Sequence, residues 1–291
     1  MFVYEAAALG AAALWALTGL ISAGPAQHLG AIAFNCTRMV LVALMLIAWV
    51  AFSTGWGSIS ADHIVPLMLS GVIGIFMGDT ALFLTLNRMG PRRTAMLFSL
   101  NAPMSAILGW LLLNEDLTVT QILGILITFS GVLLAIRFGK RKSQLHQWES
   151  VRGPLWAGVL LGLAAALSQS IGSLIARPVM ETGADPVAAS SLRVGMAALC
   201  LLALTRLPVS WVKPAGLFTP SLIGLIALSG FLGMGVGMTL ILFALSGGEV
   251  GIIATLSATT PALMLPMLWW RTKEIPALGA WAGAGLVVVG S

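Results

Sequence analysis

Few side chains in this sequence could do chemistry, and the most interesting of them lie in apolar surroundings. Asp79 falls within the run Ile64 to Leu86, which is otherwise apolar and rich in glycine. It is the one aspartate well inside such a run, and an ionisable group there is costly enough to be a functional hypothesis by default. Asp79 could contact an amine or exchange a proton; the plainer reading is a hydrogen bond to a neighbouring helix. Arg38 and Arg193 interrupt two further apolar runs, about two turns from the predicted helix ends. Snorkelling or bonding to backbone carbonyls is their structural reading. The alternative is that one of them faces a cavity and binds a carboxylate.

Neutral polar groups form a second set. Trp15 is predicted near midspan, whereas Trp49, Trp56, Trp110, Trp156, Trp211, Trp269, Trp270 and Trp281 cluster toward run ends as interfacial anchors. Trp15 either lines a cavity or packs between helices. Ser168 and Gln169 occupy the corresponding part of a later run, where a hydroxyl and an amide away from water need partners. Ser99, Asn101, Ser257, Thr259 and Thr260 accompany Pro103 and Pro261. Such donors and acceptors suit a neutral or zwitterionic ligand, although interhelical hydrogen bonding explains any single one equally well.

Other chemistries are disfavoured. Intramembrane aspartyl proteolysis, which the Gly78-Asp79 pair invites, needs two carboxylates able to share a proton, but Asp62, Asp116 and Asp185 all sit at predicted loops or helix ends. His28, His63 and His146 lack metal-ligand spacing. Cys36 and Cys200 read as small packing residues. No G-x-x-x-x-G-K-[ST] run exists to bind ATP. The pattern asks for no cofactor, no metal and no nucleic acid, and points away from an enzyme.

The elements that position these residues follow from composition. With 58% apolar residues, 9% charged residues and a mean hydropathy of +1.00, the 291-residue chain has too little polar surface to coat a water-soluble globule. A lipid bilayer must be its solvent. A hydrocarbon core of about 30 Å needs roughly 20 apolar residues per helix, and ten such runs are predicted. They are Val3 to Ser22, Ala31 to Phe52, Ile64 to Leu86, Thr94 to Leu113, Thr120 to Ile136, Leu155 to Ala176, Pro186 to Leu204, Leu222 to Leu245, Ile252 to Trp270 and Ala277 to Gly290. The first lacks a basic flank and is of spanning length, so it reads as a retained helix rather than a cleaved signal peptide. The fold class is therefore an all-α integral membrane protein.

Two halves are visible when the chain is slid by 159 residues: Gly71, Gly74, Gly78, Thr80, Trp110, Glu115, Gly124 and Gly131 fall on Gly230, Gly233, Gly237, Thr239, Trp269, Glu274, Gly283 and Gly290. Arg38 matches Arg193 at a spacing of 155, and Gly19 matches Gly172 at 153. Residues 1–137 and 154–291 then form two five-helix repeats around a basic linker, 138–153. Five is odd, so the repeats enter the membrane from opposite sides and have inverted topology. Pro103, Pro261 and Pro266 should bend the fourth and ninth helices.

Charge sets the expected orientation. Arg88, Arg92, Arg93, Arg137, Lys140, Arg141, Lys142, Arg152, Arg206, Lys213, Arg271 and Lys273 share one side, against Arg177 alone on the other. By the positive-inside rule the linker is cytoplasmic and both termini are periplasmic, as in a multi-pass protein of a bacterial inner membrane.

The run NEDLTVTQILGILITFSGVLL (Asn114 to Leu134) closes the first half, and a degenerate copy, KEIPALGAWAGAGLVVVG, closes the second. A Glu at a helix entrance followed by Gly nine and sixteen residues later, in duplicate, resembles the EamA type of the drug/metabolite transporter superfamily, over essentially the whole chain. Within it the chain looks most similar to the YddG amino-acid exporters. The resemblance implies ten helices, periplasmic termini and a central cavity built by helices one, three, four, six, eight and nine. Ile275-Pro276 departs from the first copy's Leu-Thr, so the halves are not interchangeable. Glu115 and Glu274 are read as structural, complementing helix dipoles. The expected function is a secondary carrier or facilitator that exports amino acids, aromatic and other neutral ones, by alternating access. Carriage of other small metabolites or drugs is the alternative, and a membrane-embedded enzyme stands behind it. The expected substrate-binding set is Trp15, Asp79, Ser99, Asn101, Ser168, Gln169, Thr259, Arg38 and Arg193.

Overall fold

The computed structural model describes residues 2–113, 118–138, 150–248 and 250–290, and among these every regular element is helical. Expectations resting on Glu115 and on most of the 138–153 linker lie outside them. The first half contains α1 (Phe2–Leu29), α2 (Ala31–Ala51), α3 (Ala61–Ser70), α4 (Gly78–Phe98), α5 (Asn101–Leu113) and α6 (Val119–Phe138). The second contains α7 (Leu155–Glu181), α8 (Pro186–Thr205), α9 (Pro220–Gly230), α10 (Met238–Leu245), α11 (Val250–Ser257), α12 (Thr260–Thr272) and α13 (Leu278–Gly290).

These elements make ten membrane crossings among the described residues. Eight continuous helices are apolar and long enough to span a bilayer. One of them, Ala61–Phe98, has 38 residues, and roughly 57 Å of helix overshoots a 30 Å core. The excess is explained by Gly90, whose φ of 78° and ψ of 170° reverse the chain between two crossings. A side-chain-bearing residue is strained at that φ, and Pro91 cannot donate a helical hydrogen bond to the preceding turn. The fourth crossing thus starts at Pro91 rather than Thr94 and continues into α5 after a turn at Ser99 and Leu100. Helix α13 is the shortest crossing. Helices α1 and α7 run past their predicted ends at Ser22 and Ala176, each through an equivalent proline, Pro25 and Pro178. The beyond-helix turns match too: Gly30 and Gly183 both take a φ of 86°.

Inverted topology is visible in the contacts between halves, which occur in reciprocal pairs as a two-fold axis requires. Helices α6 and α13 lie antiparallel. A methyl group added at Gly124 would stand 2.6 Å from the Gly290 carbonyl oxygen, and one at Gly131 would stand 2.7 Å from that of Gly283. Gly124 corresponds to Gly283 and Gly131 to Gly290, so each glycine meets the counterpart of the other. The same reciprocity joins Gly71 to the Arg193 backbone and Gly230 to Arg38, and joins Gly78 to Ser168 and Gly237 to Trp15. Without a hydrophobic drive between helices in lipid, such close approach is what dispersion needs to hold the bundle together.

Two irregularities repeat as well. Wider π-helical turns, Gly71–Met77 and Phe231–Gly237, interrupt the third and eighth crossings at equivalent places and aim Asp79 and Met238, which follow them, into the bundle. Short turns at Ser99–Leu100 and Ala258–Thr259 interrupt the fourth and ninth crossings just before Pro103 and Pro261. Proline removes the donor that would serve the carbonyl four residues back. Nearby groups replace it: Thr260 Oγ1 donates to the Ser257 carbonyl at 2.7 Å, and the Ala102 N–H donates to that of Ser99 at 3.3 Å.

The α6–α13 contact yields a paired prediction. Gly131→Leu, which would collide with α13, should lower stability by about 1–3 kcal/mol, whereas Gly285→Leu, with open space within 4 Å of its added Cβ, should leave the unfolding midpoint of the detergent-solubilised protein unchanged. Equal midpoints for both variants would contradict the packing.

Candidate functional site

A central cavity opens among seven crossings, next to the π-turns and the Gly90 break. Helix α1 contributes Trp15, Thr18, Gly19 and Ser22, a stripe at helical spacing. Helix α2 contributes Arg38, and α4 contributes Asp79, Leu82, Phe83 and Leu86 before the break and Pro91, Thr94, Ala95 and Phe98 after it. Gln169 enters from α7, Gly233, Met234 and Met238 from the eighth crossing, and Thr260 and Met264 from α12. The second crossing therefore joins the six implied by resemblance.

One wall is charged. Arg38 Nη2 donates to Asp79 Oδ2 at 3.0 Å, and its guanidinium lies 4.8 Å from the centroid of the Phe83 ring. Both members of the pair are buried. Arg38 and Arg193 are both buried among helices, so the snorkelling expectation is corrected: reciprocal packing against Gly230 and Gly71 holds both arginines inside the bundle. Asp79 also lies within electrostatic reach of Arg193.

The other wall is aromatic and thioether-lined. Trp15 Nε1 donates to the Gly233 carbonyl at 3.0 Å, which holds the indole against the second π-turn, and its ring meets Phe98 edge to face at a centroid distance of 5.8 Å. Thr18, Ser22, Thr94, Gln169 and Thr260 place neutral polar atoms between the walls.

Of the nine residues singled out from sequence, Trp15, Arg38, Asp79 and Gln169 line this cavity. Asn101 lines a smaller one, together with Ser105, Ser173, Ser257 and the shared Gln169. Ser99 is buried, with its hydroxyl donating to the Met96 carbonyl at 2.7 Å. Ser168 packs behind the wall against Gly78. The Thr259 hydroxyl donates to the Leu256 carbonyl at 2.7 Å, and its neighbour Thr260 faces the cavity instead. Arg193 lies behind Met238, whose Sδ accepts from its Nη1 at 3.3 Å. Thr18 and Ser22 were legible as the continuation of the Trp15 stripe; Met238 carried no signal beyond its place as the repeat counterpart of Asp79, and Met234 carried none, both being ordinary apolar residues in an apolar run. Glu274 sits between α12 and α13, four residues before the latter begins. A third cavity lies between α5, α6, α7, α11 and α13 and shares Ser105 and Val250 with the second. Among the described residues no three His, Cys, Asp or Glu side chains are grouped to hold a metal ion.

Breaking a buried pair by removing one partner strands the other charge. Asp79→Asn alone should therefore cost about 3–5 kcal/mol, and a double change to apolar residues at Arg38 and Asp79 should recover most of that loss. Thermal unfolding of the purified variants measures both; a single variant as stable as the parent would show that the pair bears no structural weight.

Comparison with known proteins places this architecture. Over 75 residues the chain is 37% identical to the uncharacterized transporter YyaM of Bacillus subtilis (strain 168), a stretch that spans 26% of this chain and 25% of that relative. A solved crystal structure shares the fold with a TM-score of 0.73 at 17% identity, covering 99% of this chain and 94% of that one. Residues 3–137 and, separately, 156–291 match the EamA-like transporter family. Two such matches, on two halves related by a pseudo-two-fold axis around one cavity, make this chain a member of the EamA-like transporter family within the drug/metabolite transporter superfamily.

Proposed function

We propose that this protein is a secondary carrier or facilitator that exports amino acids, neutral and aromatic ones among them, across a bacterial inner membrane. The observation that carries this reading is the division of the central cavity into a charged wall, Arg38 with Asp79, and an aromatic wall, Trp15 with Phe98. An amino acid has the complementary division: a zwitterionic head that needs charged partners away from water, and a side chain that gains by burial against rings and thioethers. Phosphorylated cargo favours several cationic groups in the cavity wall, and Arg38, already paired with Asp79, is the one that lines it among the described residues.

Alternating access is supported by the reciprocal packing of the halves. Two similar bundles related by an in-plane axis can adopt two nearly equivalent arrangements, which present a midplane site to either side in turn. Gln169 lines both the central cavity and the smaller polar one, and Ser105 and Val250 line both the smaller one and the third, which supports a route along these residues. The two breaks at Ser99–Leu100 and Ala258–Thr259 stand beside this route, where interrupted helices can flex. In this reading the linker is cytoplasmic, because twelve cations share its side.

Two measurements test the proposal. Purified protein in proteoliposomes should exchange labelled tryptophan, phenylalanine and leucine saturably, and Trp15→Ala should raise KM for the aromatic substrates by about tenfold, the scale of a lost aromatic contact with its buried area; no saturable amino-acid flux would overturn it. A cysteine at Thr54 should react with a membrane-impermeant maleimide in intact cells, whereas one at Ser150 should react only after permeabilisation, and the reverse pattern would invert the orientation.

A further inference from the structure

Arg193 is a buried cation for which the fold supplies little compensation. It is 1% exposed on α8. Its Nη1 donates to the Met238 thioether at 3.3 Å, a weak acceptor, while Nε and Nη2 have no hydrogen-bond partner among the described residues. One turn earlier the Ser190 hydroxyl is likewise buried and unpartnered.

The pseudo-two-fold axis shows where the halves differ. Arg38 corresponds to Arg193, and Asp79 corresponds at the 159-residue spacing to Met238. Contacts follow the same correspondence: Arg38 bonds Asp79, and Arg193 bonds Met238. In the second half a thioether stands where the first half has a carboxylate. Among the described residues Arg38 has a carboxylate partner and Arg193 has none, so the two arginines leave one positive charge in excess. Arginine does not shed its proton in proteins, and an uncompensated charge in a low-dielectric interior is expensive. A negatively charged ligand is the compensation left.

Met238 also lines the central cavity, so its side chain stands between that space and Arg193. An unbranched thioether turns readily between rotamers. We propose that Arg193 holds a singly charged anion delivered from the central cavity as Met238 swings aside, and that the carboxylate of the transported amino acid is this anion. The assignment rests on the amino-acid reading above and deepens it: Arg193 takes the carboxylate, leaving Asp79 to face the ammonium group. Free chloride has the same charge and acceptor character, and the test separates the two.

Purified protein is unfolded thermally in sodium gluconate with added sodium chloride, or with added L-leucine or its carboxamide, at constant ionic strength. The midpoint should rise with leucine and not with the carboxamide; a rise with chloride that leucine does not displace would assign the site to a resident halide. Met238→Asp supplies the carboxylate that symmetry predicts, so it should raise the midpoint in gluconate and abolish the anion-dependent rise. Arg193→Gln, an independent variant, should also abolish that rise, and either variant should raise the KM for leucine by about tenfold or more, the scale of a charge-assisted hydrogen bond. A leucine response and KM unchanged in both variants would overturn the site while leaving amino-acid export standing. An anion response in the parent protein without any amino-acid flux would instead uphold the site and overturn the export reading.

Discussion

Helices in lipid gain nothing by hiding apolar surface from one another, so the bundle depends on backbones that come close enough for dispersion to act. The glycines of the third and eighth crossings meet that need, and they do so across the join between the halves. Gly71 receives the backbone at Arg193, and Gly230 receives Arg38. The contact that unites the repeats is thus also the contact that sets the depth of the two buried arginines. Once Arg38 is held there, Asp79 on the facing helix has a partner 3.0 Å away, and the charged wall of the cavity follows.

Irregular backbone at membrane depth survives where protein satisfies it. The breaks beside Pro103 and Pro261 and the two π-turns all border the cavities, and the freed Ser257 carbonyl is served by the Thr260 hydroxyl. Those departures from ideal helix create the space. A straight α-helix through the same positions would carry Asp79 and Met238 round to other faces and bring the crossings together.

The scaffold is nearly symmetric and its chemistry is not. Trp15 corresponds to Ser168, and Asp79 to Met238: the first-half members line the cavity with charge and a large ring, while Ser168 packs behind the wall against Gly78. A duplicated frame accounts for two equivalent packings, and divergence at a few positions accounts for a site that treats one end of a ligand differently from the other. This division of labour joins the fold to the proposed transport cycle, since symmetric packing lowers the difference between states and asymmetric lining confers selectivity.

Residue order alone determined the solvent, the number of crossings and the inverted relation of the halves, because transfer of apolar side chains into lipid is nearly additive along the chain and an odd count leaves no other threading. It also determined that Asp79, Arg38 and Trp15 lie in the membrane. Tertiary structure decided which side chains share a space. Each residue turns the helix by about 100°, so Thr260 lines the cavity while its neighbour Thr259 does not, and hydropathy is blind to that difference. The pairing of Arg38 with Asp79, the π-turns that aim it and the thioether beside Arg193 likewise depend on how helices rotate when their glycine faces close, a collective property of packing that no single segment encodes.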